Sequence, residues 1–370
     1  MGNYNMPSFE QFKKLYDEDK LEEFNSNSYA LLWLKIKSII RRDILDNFLS
    51  RFSIKLDGKI LTTQFEELYK KLSCNLEQSH KNLDTFFQEG KNSNDINTED
   101  LVSELYKLRS FNWGGDYKNQ LDKHLVNKYI KSYSNYDELT AKLDTDIKTA
   151  VQGYVLCSWY NHWSSILIEN IFKQHPKVLP ALGQIKKVDF FINNVPFDLK
   201  VTYLPANFIE KCRKEKGLKP ELTELKQKAK QAGIKFTVHN RADDIYYEIV
   251  EKMKDRNDDF CQNVLSNMKK IRLDILEYVQ KNPKVLIKNL YEEQGELRFD
   301  ASNRLFLILV DTEHFDNSWK LKRNLDLLRP KIETYLNEFD NKQIDDLKIS
   351  FTYNKTKEFT AIGDIIFVVK

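Results

Sequence analysis

Cysteine pairing is missing from this chain. Cys74, Cys157, Cys212 and Cys261 stand far apart and no two share a Cys-x-x-Cys spacing, which excludes a zinc knuckle and a disulfide framework and fits a reducing, cytoplasmic setting. Glycine (11) and proline (8) are scarce among the 370 residues. No repeat, low-complexity tract or proline-rich linker marks a domain boundary. Long apolar runs are also absent. The run Leu305 to Val310 is far short of the roughly 20 residues that span a membrane, and the N-terminus lacks the apolar core of a signal peptide, so no membrane partner is expected. Charge of one sign is lacking too. With 58 basic residues against 55 acidic, the net charge is +3, so affinity for nucleic acid must come from local patches rather than a global field.

What is present is ample apolar material, 41% of residues with 23 Phe and 18 Tyr. This suffices for a sizeable core in a soluble chain long enough to form two domains. The most informative stretch is Lys187-Val-Asp-Phe-Phe-Ile-Asn-Asn-Val-Pro-Phe-Asp-Leu-Lys200. Asn193-Asn194 tolerates positive φ, which predicts a two-residue primed turn between two strands. Such a turn sets Phe190 against Phe197 and Asp189 against Asp198, and alternation puts Val188, Phe190, Ile192, Val195, Phe197, Leu199 and Val201 on one face. Lys187, Asp189, Asp198 and Lys200 fall on the other, with Phe191 and Pro196 near the turn. Counting outward, the aspartates fall at a non-hydrogen-bonded pair, where Cα atoms approach to about 4.5 Å. Opposed like charges destabilise a sheet, so the pair points to a cation between them, of the hard, oxygen-seeking kind such as Mg²⁺. A solvated hairpin with Lys200 neutralising one carboxylate is the structural alternative.

Asp189 followed by Asp198-Leu199-Lys200 on the next strand resembles the PD-(D/E)XK nuclease signature, and Pro-Phe-Asp-Leu-Lys-Val-Thr resembles its type II restriction-endonuclease members. The likeness covers about residues 150–204, with looser support at 303–329; Val188 stands where a proline is usual. The resemblance implies an α/β (α+β) core with a central mixed sheet flanked by helices. It also implies that Asp189 and Asp198 bind Mg²⁺, or Mn²⁺ in its place, helped by the Leu199 carbonyl, and that Lys200 orients the attacking water. A preceding helix in that family often supplies a further acid; Glu169 is the candidate.

Along the chain, residues 1–140 read as a mainly helical region suited to DNA recognition, and 141–370 as the nuclease-like core with a helical insertion at about 205–300. Ala30 to Leu45, and Phe65, Leu68, Leu72 and Leu76, mark buried helices. Asp57-Gly58 predicts a small hairpin over Ser53–Thr62, and Thr98 a helix cap. Phe111-Asn-Trp-Gly-Gly-Asp116 reads as a helix connector or as a DNA-contacting loop. A long helix is expected over Thr145–Gln174, with Gly153 as a point for a bend and Val155, Leu156, Trp159, Trp163, Ile166, Leu167 and Ile171 facing the core. Arg304 to Asp311 predicts a strand buried on both faces. Helices near Trp319 and over Asn324–Phe339 follow, then strands over Leu347–Tyr353 and Asp364–Val369.

Nine Lys or Arg against three Glu lie between Lys211 and Lys235. That run is either the solvated side of helices or a phosphate-binding patch. Lys211, Arg213, Lys214, Arg241, Arg304, Lys320, Lys322 and Arg323 are the candidate nucleic-acid contacts. The expected function is a Mg²⁺-dependent endonuclease on double-stranded DNA of the restriction type, as a homodimer if the target is palindromic. The alternatives are a non-catalytic DNA-binding protein and a nuclease acting on RNA or branched DNA.

Overall fold

The computed structural model describes residues 8–370 except 19, 92–96, 114–120, 186, 238–241, 294–301 and 354–356. The chain is α+β. Strands β1 (Val178–Ile185), β2 (Val188–Ile192), β3 (Val195–Tyr203), β4 (Arg304–Val310), β5 (Lys348–Tyr353) and β6 (Lys357–Val369) form a mixed six-stranded sheet in the order β1-β2-β3-β4-β6-β5, flanked by helices. Contacts divide the chain into two compact units. The first comprises Met1–Lys14, Glu23–Phe197 and His314–Asn341, the second Leu15–Glu22, Asp198–Glu313 and Lys342–Lys370.

In the first unit, helix Ser28–Ser38 buries Leu32, Trp33, Leu34 and Ile36, as its apolar circumference dictates. Asn27 caps it by accepting from the Tyr29 and Ala30 amides, meeting two of the N–H groups a helix start leaves open. Helices Leu61–Ser73 and Leu76–Gly90 follow. The hairpin expected over Ser53–Thr62 does not form. The Glu67 carboxylate accepts from the Asp57 and Gly58 amides, which ties that turn to the next helix. Helix Thr98–Tyr106 is capped by Asn97, whose Oδ1 accepts from the Asp100 amide, and not by Thr98, which is already inside the helix.

The long helix spans Lys148–Gln174, and the residues just before it, Leu143–Ile147, form a π turn. Its buried stripe is Cys157, Tyr160, Ser164, Leu167, Ile168, Ile171 and Phe172. Val155 and Leu156, expected inside, are 56% and 51% exposed. The helix is rotated because Tyr160 docks on the 3₁₀ turn Phe315–Arg323, its hydroxyl donating to the Trp319 carbonyl at 2.9 Å. Gly153 marks a close approach: a Cβ there would stand 2.9 Å from the Cα of Trp113.

β1 pairs antiparallel with β2 and was not foreseen, since Pro180 and Gly183 weaken its strand pattern. An edge strand tolerates the proline. The glycine is required, because a Cβ at 183 would fall 2.1 Å from the Ser38 carbonyl oxygen. In the β2–β3 hairpin, Phe190 stacks on Phe172 with centroids 5.1 Å apart, and Phe191 stacks on Phe87. Both faces near the turn are therefore covered by helices.

In the second unit, β3 from Asp198 onward runs parallel to β4 and β4 parallel to β6, while β5 is antiparallel to β6. Every residue of β4 is buried, as its unbroken apolar run predicts. Helices Ala206–Glu215, Glu221–Gln231, Ala242–Arg256, Asp259–Lys281 and Pro283–Glu292 lie between β3 and β4. Their core gathers Leu225, Ile249, Met253, Cys261 and Met268. Helix Pro283–Glu292 sets Tyr291 against Phe306 and stacks it on Phe351. Among the described residues no helix is long and apolar enough to cross a membrane.

Candidate active site

The site begins with a local decision by the backbone. Asn193 and Asn194 take φ of 47° and 68°, the two positive values of a primed turn. Lys35 is fully buried, and its Nζ donates to Asn194 Oδ1 at 2.7 Å and to Asp84 Oδ1 at 2.6 Å. Burial lowers the pKa of that ammonium and Asp84 opposes the shift. Asp340 accepts from both Asn193 and Lys177. The turn sets the expected register, with Phe190 opposite Phe197, Phe191 opposite Pro196 and Ile192 opposite Val195.

Asp189 lies half-buried on β2 in the first unit. Glu169 belongs to the same unit, on the long helix, where its Oε2 accepts from Lys173 Nζ at 2.9 Å. That i, i+4 pair already meets the Glu169 charge.

Asp198 opens the second unit and is 8% exposed. Its amide donates to the Asn303 carbonyl at 2.9 Å, which seats it opposite Arg304 in the parallel pair, with Leu199 opposite Leu305 and Lys200 opposite Phe306. Lys200 Nζ donates to Asp198 Oδ1 at 2.6 Å, and Arg304 Nε lies 3.6 Å from Oδ2. The two cations differ in freedom. The Lys200 side chain is 43% exposed. Arg304 is 3% exposed and lies over the Tyr291 ring at 5.1 Å, while the Tyr291 hydroxyl shares its proton between the carbonyls of Ser302 and Ile362. On β6 Gly363, beside Arg304 in the ladder, leaves room for this shelf, since a Cβ there would lie 3.1 Å from Tyr291 Cε2. The result is a buried carboxylate with one fixed and one movable cation, a charge balance that burial demands.

Nothing in the chain order pairs Arg304 with Asp198. The signal was there in part: Asn303-Arg304 directly precedes the buried strand. Asp364, a further buried carboxylate, pairs with Lys342 at 3.0 Å. It stands beside Leu305 in the β4–β6 ladder, so it projects to the face opposite Asp198 and Arg304.

Several candidate phosphate contacts point inward. Arg213 is fully buried, pairs with Glu224 and donates to the Lys219 carbonyl at 2.9 Å. Arg323 donates to the Leu105 and Leu108 carbonyls at the end of helix Thr98–Tyr106 and lies over the Tyr106 ring at 4.4 Å. It closes a helix C-terminus. Lys322 is buried with its Nζ 2.9 Å from Asn161 Oδ1. Sequence shows the charge of these side chains but not their direction, and the fold turns them away from any phosphate. Lys211 and Lys214 are exposed, and Lys320 is half-exposed over the Trp319 ring. Arg241 and the residues 114–116 lie outside the described residues.

Burial pushes the Lys322 ammonium down to about 8 from 10.5. Between those values the unfolded chain binds the extra proton, so stability rises with pH across that window and levels off on either side. Urea midpoints measured at pH 8 and pH 10.5 should show this rise in the wild type and lose most of it in Lys322→Met. An equal slope in both would disprove the assignment.

Among the described residues no group of three His, Cys, Asp or Glu side chains is placed to hold a metal ion. In the second unit the Asp198 carboxylate, with the Leu199 carbonyl next to it in the chain, offers oxygen donors of the kind a hard cation takes. An ion on Asp198 would have to displace the Lys200 contact, which the 43% exposure of that side chain permits. No family model, curated protein or solved structure matches this chain.

Proposed function

We propose that the chain is a Mg²⁺-dependent nuclease that hydrolyses phosphodiester bonds in double-stranded DNA, of the restriction-endonuclease type. The observation that carries this reading is the Asp198–Lys200 pair, held at 2.6 Å on β3 with a buried strand alongside. The order of elements agrees with it: a long helix, an antiparallel hairpin, helices, then β4 parallel to β3. That is the order which the resemblance to PD-(D/E)XK nucleases implies.

Mg²⁺, when bound, would supply Lewis acidity to the scissile phosphate and acidify a water. Asp198 and the Leu199 carbonyl would hold it, and Asp189 joins this set on the sequence motif. Lys200, released from Asp198, has the reach and charge to orient that water and to stabilise negative charge developing on phosphorus oxygens. Arg304 keeps the Asp198 carboxylate in place from the buried side. With Arg213, Arg304, Lys322 and Arg323 turned inward, the phosphate contacts proposed for this reading are Lys211, Lys214 and Lys320, together with Arg241, which lies outside the described residues. A duplex cut at a palindrome calls for two copies of the chain related by a two-fold axis.

The test is conversion of supercoiled plasmid, with duplex, single-stranded and branched DNA and RNA run in parallel. Cutting is expected with Mg²⁺ or Mn²⁺, none with chelator, and duplex DNA should be preferred. Absence of cutting on every substrate with either ion would reject the reading. RNA as the preferred substrate would keep the chemistry and change the target.

A further inference from the structure

Between Lys211 and Lys235 nine basic residues stand against three acidic ones, a local charge of +6 in a chain whose total is +3. The stretch covers most of helices Ala206–Glu215 and Glu221–Gln231 of the second unit, which follow directly on β3. Arg213 turns inward to Glu224. The eight lysines do not: six are exposed, and Lys226 and Lys228 are half-buried.

The acids of these helices are occupied within the fold. Glu210 accepts from the Glu221 amide at 3.0 Å, Glu221 from Arg272 Nε at 2.9 Å, and Glu224 from Arg213. Of the four, Glu215 alone is exposed, and none of the eight lysines has a carboxylate partner among the described residues. Other helices of the chain are built differently. Lys70 pairs with Glu66, Lys173 with Glu169, Lys252 with Glu248 and Lys281 with Glu277, each at i, i+4. Here the same spacings hold like charges, Lys211 with Lys214 at i, i+3 and Lys226 with Lys230 at i, i+4. Such pairs destabilise a helix. The helix dipole favours cations in the last turn, a reason that reaches Lys214 and Lys230 but not Lys211 or Lys226. In the connection, Lys219 Nζ donates to Gln227 Oε1 at 2.9 Å. Gln227 is one turn from Lys230, so the connection and the second helix share a basic side.

We infer that these two helices bind the phosphate backbone of nucleic acid, without regard to base sequence and without a metal ion. Each ammonium that neutralises a phosphate releases a counterion condensed on the polymer, and this gain offsets the repulsion that the lysines hold in the free protein. The surface suits phosphate rather than lipid. No large apolar side chain of residues 206–235 is exposed, whereas a helix that lies on a membrane sets Trp, Phe or Leu against its basic face. Lysines act on phosphate as point charges, which fixes position on a backbone and reads no base. The choice of duplex DNA as the partner rests on the nuclease reading.

The test follows the anisotropy of labelled duplexes of two unrelated sequences, in chelator, over about 50–200 mM salt. A variant carrying Lys211→Gln, Lys214→Gln, Lys226→Gln and Lys230→Gln should bind both duplexes about tenfold more weakly at the lower salt. Its slope of log K against log salt should be shallower by about one for each lysine that meets a phosphate. Either pair of substitutions alone should give a smaller change of the same kind. The fourfold variant should melt at the wild-type temperature or above it, since like charges have been removed. Lys281→Gln, which breaks an ion pair elsewhere, should bind as wild type does. Unchanged affinity and slope in the fourfold variant would overturn the inference, as would capture of the wild type by phosphatidylserine vesicles but not by DNA. Cleavage is scored separately with Mg²⁺. A wild type that binds through these lysines and cuts nothing refutes the nuclease reading alone, and a wild type that cuts while the fourfold variant binds equally well refutes this inference alone.

Discussion

Lys200→Ala should lower the rate of plasmid cleavage about 10²–10³-fold, the usual cost of removing one preorganised group that stabilises developing charge, and leave duplex binding within a few-fold of wild type. The geometry makes this variant the cleanest test. The Lys200 side chain is 43% exposed and its partner Asp198 retains Arg304, so its loss should leave the fold intact. Asp198→Ala should abolish cutting as well, but it carries a second effect. It strips the buried Arg304 of its carboxylate, and leaving a buried charge unpaired costs about 3–5 kcal/mol. Asp198→Asn keeps the volume and a hydrogen-bond acceptor, and should lose cleavage with a smaller penalty. Asp189→Ala belongs in the same series. Gel shifts and circular dichroism on all four separate binding and folding from chemistry. Wild-type cutting by Lys200→Ala and Asp198→Asn would show that β3 is scaffold and that other residues carry the cleavage.

The second large effect concerns stability. Phe190→Ala should destabilise the chain by about 3–5 kcal/mol, the range for deleting a buried phenyl ring. Phe190 is fully buried and stacked on Phe172 of the long helix, so the cavity would open between sheet and helix where neither backbone can collapse freely. Val155→Ser on the exposed side of that helix should stay within about 0.5 kcal/mol. Urea denaturation measures both. A loss under 1 kcal/mol for Phe190→Ala would mean that the hairpin is not seated on the helix.

Where local rules act alone, the reading of the sequence and the fold agree. Asn193-Asn194 tolerates the positive φ that a two-residue primed turn needs at both positions, and the register of Phe190 with Phe197 follows from that turn. The apolar run of β4 could only be a strand covered on both sides. Where a distant partner decides, the two part. Asp57-Gly58 has turn chemistry, but a helical carboxylate ten residues on captures its amides. Val155 and Leu156 fit a helical stripe, but Tyr160 and its bond to Trp319 set which stripe turns inward.

The candidate site divides along the same line. By itself the sequence determined that a primed turn would lead into β3 and that Asp198 and Lys200 would share a face of it, because turn conformation and the period of two are properties of neighbouring residues. Only the tertiary structure decided that Arg304 would stand beside Asp198 on a shelf made by Tyr291, and that Arg213, Lys322 and Arg323 would be turned inward. A basic side chain reads alike in sequence whether it faces water or a buried carbonyl. The partner that makes the difference for Arg323, the end of helix Thr98–Tyr106, lies more than 200 residues away, and burial then charges for every group left unmatched.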